Sequence, residues 1–124
     1  MIELLSKCPQ IVLLGHSIHT REIIKSLNRD YSISPTLFDH QRPEGFGFFI
    51  QYSYIKQKLP DNEYYILQSL LDIPNENEHH NNYVLIPLSP FSQDIVQKNI
   101  ERLESIYIVS RYSDLISALP SFTA

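Results

Sequence analysis

The sequence predicts a three-layer α/β domain, in which helices flank a mainly parallel sheet of four or five strands. Two observations predict this class. Residues 11–14 and 83–86 are continuous apolar runs, which is typical of strands covered on both faces. A turn, a helical pattern and a second extended run follow each of them, in the order of a strand, a helix and a parallel strand.

The two strand–helix–strand units, residues 11–38 and 83–110, have the same length and can be aligned without a gap. In that alignment Ser17 falls on Ser89 and Thr20 falls on Ser92. Because both segments satisfy one pattern, we expect a single Rossmann-like domain that spans residues 1–124.

In the first unit, Gly15 ends the strand, and the hydroxyl of Ser17 or Thr20 can cap the helix that follows. The helix buries residues that recur on one face, namely Ile23, Ile24 and Leu27. Residues 33–38 form the second strand. Pro35 lies inside this run and therefore predicts an edge position or an irregular pairing.

Asp61 is the expected N-cap of the next helix. In the second unit, Ser89 is the expected N-cap and Pro90 suits the first helical position. One long helix then buries its apolar face, which comprises Ile95, Val96, Ile100 and Leu103. Residues 106–109 are β-branched and aromatic, which predicts a strand, and Ser113 is the expected cap of a last short helix.

Composition excludes several classes of protein. The net charge is −4, and no basic cluster predicts a nucleic-acid surface. The one cysteine permits no intrachain disulfide. The first residues do not have the pattern of a signal peptide, and no run approaches the roughly 20 apolar residues of a membrane span. We therefore expect a cytoplasmic protein that binds neither membranes nor nucleic acid.

The turn after the first strand is the main candidate for a substrate- or anion-binding site, through Gly15, His16, Ser17 and Thr20. A dinucleotide-binding turn has three glycines in the pattern G-x-G-x-x-G, and only the first is present here. Asp39 ends the second strand, where an acid that binds a ribose would lie. The alternative is a turn that merely connects the strand to the helix, with Asp39 in solvent.

Ser89 is a second candidate, because the helix that it starts could face the same crevice and hold an anion; the alternative is a plain N-cap. His16, His19 and His40 could meet Asp39 at one edge of the sheet, and these residue types bind transition metals. The spacing H-x-x-H in a turn matches no strong metal motif, so we predict no metal.

The remaining chemistry is sparse. Four tyrosines in the middle of the chain predict core and partner-facing packing, namely Tyr52, Tyr54, Tyr64 and Tyr65. No nucleophile–base pair, phosphate-binding loop or pair of catalytic carboxylates is found, so no catalytic residue is predicted.

The order of these motifs resembles the N-terminal pre-ATP-grasp domain of ATP-grasp ligases of the carboxylate–amine type. The resemblance rests on the hydrophobic strand, glycine-containing turn and helix of the first unit, and on two short motifs of the second. These are Leu85-Ile86-Pro87 at the end of the strand and Leu103-Glu104-Ser105 before the next strand. It covers nearly the whole chain.

The resemblance implies a domain that packs against an ATP-grasp module, in cis or in trans, and helps to shape the pocket of the acceptor substrate. In the family, ATP and Mg²⁺ bind downstream of this domain, and the chain ends at Ala124, about where that module would begin. We therefore expect a fragment or a stand-alone relative that binds no cofactor and catalyses no ligation by itself. A homodimer is a further expectation.

Two other interpretations stay open. The chain could be a small stand-alone domain that binds a nucleotide or dinucleotide through Gly15, Ser17 and Asp39. It could also be an interaction module that uses its tyrosine-rich middle as a contact surface.

Overall fold

The computed structural model describes residues 2–39, 55–58, 62–76 and 83–120. Five strands lie in this part of the chain: β1 (Gln10–Leu14), β2 (Thr36–Asp39), β3 (Ile55–Lys58), β4 (Tyr83–Pro87) and β5 (Ile108–Val109). Six helices accompany them: α1 (Ile2–Ser6), α2 (Thr20–Tyr31), α3 (Glu63–Glu76), α4 (Pro90–Lys98), α5 (Ile100–Glu104) and α6 (Tyr112–Ala118).

The strands form one sheet in the order β3-β2-β1-β4-β5, and all four pairings are parallel. The predicted α/β class, with a parallel sheet flanked by helices, is therefore confirmed. The order reverses between β1 and β4, which pair along the whole length of both strands. In open α/β sheets, ligands bind outside the carboxyl ends of the strands at this switch point.

Side chains alternate between the two faces of the sheet and build two separate cores. Ile11 and Leu13 of β1 pack with α1, α2 and α6 on one face. Val12 and Leu14 pack with α3, α4 and α5 on the other face. All four side chains are almost fully buried, which explains why β1 is a continuous apolar run and not an alternating one.

The expectation that Pro35 marks an edge strand is wrong. β2 is an internal strand between β3 and β1, and it begins at Thr36. Pro35 precedes the ladder, so its missing N–H does not interrupt any strand pairing.

The predicted long helix of the second unit is two helices. α4 ends at Lys98 and α5 begins at Ile100, with Asn99 between them. The side-chain amide of Asn99 donates to the carbonyl of Ile95 at 2.9 Å, and its backbone N–H donates to Val96 at 3.2 Å. Asparagine thus offers the backbone an alternative to the regular helical pattern.

Of the two other predicted N-caps, Ser113 is wrong and Asp61 is untested. Arg111, not Ser113, is the N-cap of α6, so Ser113 lies inside the helix. Asp61 lies outside the described residues. Asn62 instead provides a capping bond to α3, since its side-chain oxygen accepts from the N–H of Tyr64 at 2.8 Å.

Within the part of the chain that the structure describes, none of the helices is both long and apolar enough to cross a membrane.

Tyr107 fastens α3 to the sheet just before β5. Its hydroxyl donates to the carbonyl of Leu70 in α3, and its ring meets that of Tyr83 edge-on, with centroids 6.1 Å apart. Burial, together with the neighbouring Tyr83, raises the pKa of Tyr107 well above its ordinary value of 10.0. The folded protein therefore holds this proton more tightly than the unfolded chain does.

We expect Tyr107→Phe to lower the free energy of unfolding by about 1–3 kcal/mol at neutral pH, because the Leu70 carbonyl loses its buried donor. The contribution of the raised pKa to the free energy of unfolding is fully present below about pH 10. It is lost as the pH rises further, by up to about 1.4 kcal/mol per pH unit. The variant should lose less stability between about pH 9 and pH 11 than the wild type.

Urea unfolding of both proteins across this pH range measures the difference. The Tyr64→Phe variant is the control, because Tyr64 is exposed and its hydroxyl is not buried. If the free energy of unfolding falls equally steeply with rising pH in the wild type and in the Tyr107→Phe variant, Tyr107 does not hold its proton more tightly in the folded protein.

Candidate functional site

The turn after β1 ties three strand ends together at the carboxyl edge of the sheet. The N–H of Gly15 donates to the carbonyl of Phe38 at the end of β2, at 2.7 Å. The N–H of Leu88, just beyond β4, donates to the carbonyl of Leu14 at 2.8 Å. The ends of β2, β1 and β4 are thereby fixed relative to one another.

Gly15 is required at this position for two reasons. Its φ of +88° lies in the region that side chains disfavour. A Cβ at this position would also lie 2.6 Å from the Ser89 hydroxyl and 2.9 Å from the Ser92 hydroxyl. The first glycine of the turn therefore makes room for two serines of the second unit.

Ser89 and Ser92 form a capping box at the start of α4. The Ser89 hydroxyl accepts from the N–H of Ser92 at 3.2 Å, and the Ser92 hydroxyl accepts from the N–H of Ser89 at 3.0 Å. Ser92 is buried and also donates to the carbonyl of Leu14 at 2.9 Å. The predicted N-cap at Ser89, with Pro90 as the first helical residue, is confirmed.

The turn over residues 15–20 satisfies several of its own amides. The Thr20 hydroxyl accepts from the N–H of Ser17 at 2.9 Å, and the Ser17 hydroxyl accepts from the N–H of His19 at 3.2 Å. His19 is the N-cap of α2 and makes no side-chain capping bond. The prediction that Ser17 or Thr20 is the N-cap is therefore wrong, because both hydroxyls stabilise the turn itself.

His16 and Asp39 lie at the end of β1 and the end of β2. The Nδ1 atom of His16 lies 3.3 Å from the carboxylate of Asp39. Asp39 is buried, whereas 43 % of the His16 side chain is exposed. The buried carboxylate thus lies beside an imidazole that faces solvent. The third histidine of the predicted cluster, His40, lies outside the described residues.

Tyr112, the first residue of α6, contacts the turn after β1. Its hydroxyl lies 3.4 Å from that of Ser17, across the space between β1 and the start of α6. Sequence reasoning missed Tyr112 and Ser92. The signal for Ser92 was present, since it stands three residues after a serine N-cap, whereas nothing local pairs Tyr112 with Ser17.

The structure brings all six predicted binding residues to the carboxyl edge: Gly15, His16, Ser17, Thr20, Asp39 and Ser89. Their arrangement offers an accessible imidazole and hydroxyls to a polar ligand, since most of the amides at the two turns already have partners. Among the described residues, no group of three or more histidine, cysteine or acidic side chains could hold a metal ion.

Two of the four predicted packing tyrosines can be placed. Tyr64 and Tyr65 are exposed at the start of α3, with their rings edge-on and 5.4 Å apart. Both therefore lie outside the core, on one of the helices that cover the face of the sheet with Val12 and Leu14. Tyr52 and Tyr54 lie outside the described residues.

We expect Gly15→Ala to lower the free energy of unfolding by about 1–3 kcal/mol, through its backbone conformation and its contact with the two hydroxyls. Ser89→Ala should cost about 1 kcal/mol, because a helix cap is lost. The double variant should cost less than the sum of both, since the Ser89 hydroxyl is the atom nearest to the added methyl group.

Urea unfolding of the four proteins in this double-mutant cycle gives the coupling energy. Ser105→Ala is the control partner, because its hydroxyl caps the end of α5 and does not contact Gly15. A Gly15–Ser89 coupling no larger than the Gly15–Ser105 coupling would contradict the close contact at the switch point.

Comparison with known proteins finds no protein family model, no curated protein and no solved structure that matches this chain.

Proposed function

We propose that the chain is a pre-ATP-grasp-like domain of an ATP-dependent carboxylate–amine ligase. Its carboxyl edge would contribute to the pocket of the acceptor substrate and pack against an ATP-grasp module, in cis or in trans. ATP and Mg²⁺ would bind to that module and not to this chain. The resemblance in sequence motivates the proposal, and the arrangement of the carboxyl edge supports it.

The observation that carries the proposal is the exposure of one large apolar side chain at each of the two turns of the carboxyl edge. Ile18, in the turn after β1, is 90 % exposed, and Phe91, in the first turn of α4, is 55 % exposed. Ile18 belongs to the same turn as the imidazole of His16 and the hydroxyl of Ser17, and Phe91 follows the N-cap Ser89 at the second turn. Large apolar side chains are costly to expose, so two of them beside a polar site favour a surface that another module covers.

The same geometry argues against the stand-alone dinucleotide-binding alternative. A pyrophosphate needs free backbone amides at the turn. Here the amides of Ser17 and His19 donate to hydroxyls of the turn, and the amide of Ser92 donates to Ser89. Asp39, which would bind a ribose, lies against His16.

Calorimetric titration of the chain with Mg²⁺-ATP and, separately, with NAD tests these alternatives. We expect no saturable binding of either molecule at concentrations up to about 1 mM. Binding with a dissociation constant of about 1 mM, which corresponds to about −4.1 kcal/mol, would be detected at this concentration. Tight binding of ATP would contradict the proposal. Binding of NAD that Asp39→Ala abolishes would establish the dinucleotide alternative instead.

In the ligase that contains or binds this chain, we expect His16→Ala to raise the KM of the acceptor about tenfold, because the imidazole beside Asp39 lies at the pocket. The KM of ATP should not change, since ATP would bind to the other module. Steady-state kinetics with each substrate varied in turn measures both constants.

His19→Ala is the matched control, because His19 belongs to the same turn, whereas the imidazole that lies 3.3 Å from Asp39 is that of His16. An equal rise of both KM values in the His16→Ala variant, or an equal effect of His19→Ala, would contradict a role of His16 in the acceptor pocket.

A further inference from the structure

A cavity of about 630 Å³ lies beside the switch point, at the carboxyl ends of β4 and β5. Pro87 and Val109 end these two strands at its base, and Val96 and Ile100 form an apolar wall from α4 and α5. This volume is in the range of small-molecule sites, which combine apolar walls with a few polar groups. Nothing in the sequence-based predictions assigns it a ligand.

Two opposite charges line this cavity without neutralising each other. Arg111 follows β5, and Glu104 ends α5. Within the described part of the chain, neither side chain takes part in an ion pair or a side-chain hydrogen bond. The cavity therefore presents one cation and one carboxylate to whatever occupies it.

These charges select the class of ligand. A carboxylate alone would be attracted by Arg111 but repelled by Glu104, and an amine alone would meet the reverse. A molecule that carries both groups can pair with both side chains, and its apolar body can cover Val96 and Ile100. We propose that the cavity binds a zwitterion of the amino-acid class with an apolar body.

Neutral groups complete the cavity. Gln93 and Gln97 line it from successive turns of α4, and Ser113 lines it from α6, and all three have neutral polar side chains. Each can donate and accept, so each suits either charged end of a zwitterion. Tyr112 lines the same cavity and touches Ser17, so an occupant would lie next to the turn after β1.

The proposal stands on the cavity and its charges, and it does not depend on the ligase function proposed above. A ligand of this cavity would bind whether or not an ATP-grasp module covers the edge. The two proposals therefore fail on different measurements.

The test is a set of amide NMR spectra of the whole chain with single probes at about 10 mM, a concentration that saturates a site of millimolar affinity. The probes are the protein amino acids, together with 4-aminobutyrate and 6-aminohexanoate, which place the two charges further apart. For each zwitterion that binds, the amine-free acid and the carboxylate-free amine are tested as singly charged analogues.

We expect at least one zwitterion to shift the amide signals of Gln93, Arg111 and Ser113, and to bind about tenfold more tightly than either analogue. Arg111→Gln should weaken the zwitterion about tenfold. Glu104→Gln should also weaken it, but should strengthen binding of the singly charged acid, because the repelling carboxylate is gone.

Arg102→Gln and Glu101→Gln are the matched controls. Both side chains are exposed on α5 and lie outside the cavity, so neither change should alter binding. All four positions are on the surface, and unchanged spectra without ligand show that each variant is folded. The absence of shifts with every probe, equal binding of zwitterion and acid, or equal effects of the control variants would overturn the proposal.

Discussion

The contact between Gly15 and the Ser89–Ser92 capping box is the constraint on which the carboxyl edge depends. It joins the turn of the first strand–helix–strand unit to the turn of the second. Both turns leave the sheet at the switch point, and their helices leave on opposite faces. A side chain at residue 15 would clash with both hydroxyls, including that of Ser92, which donates to the carbonyl of Leu14.

This constraint also determines what the edge can bind. Serine and threonine hydroxyls replace the second and third glycines of a dinucleotide-binding turn, and they accept the hydrogen bonds of amides that could otherwise hold a phosphate. At the start of α4, the hydroxyl of Ser89 accepts from the N–H of Ser92 in the same way. Any recognition of a ligand at this edge would therefore depend on side chains, chiefly His16, Ser17 and Tyr112. Such a site suits a small polar molecule better than a pyrophosphate.

The fold could be predicted from the sequence because it depends on patterns along the chain. Two apolar runs, each followed by a turn and a one-faced helix, are sufficient for a parallel sheet with two covered faces. The errors arise where a single side chain decides the local structure. Asn99 breaks a helix whose apolar pattern continues across it, and Pro35 lies one residue before a strand and not within it. Neither outcome is visible in a hydrophobic period.

The site could be predicted only in part, for a physical reason. The carboxyl ends of parallel strands meet at one edge, so Gly15, Asp39 and Ser89 could be placed together from the strand assignments alone. The pairs that give the edge its chemistry join residues far apart in the chain, such as Ser17 with Tyr112.

The cavity lined by Arg111 and Glu104 could not be predicted from the sequence for the same reason. β5 has only two residues, and the short helix α5 brings a carboxylate to the sheet edge just before it. No spacing in the sequence predicts that a cation after β5 and that carboxylate line the same cavity. Both side chains are exposed, and an exposed ion pair between them would add little to stability, so stability alone does not require them to pair. What sets these two charges apart from other surface charges is that they line one cavity together with the apolar side chains of Val96 and Ile100.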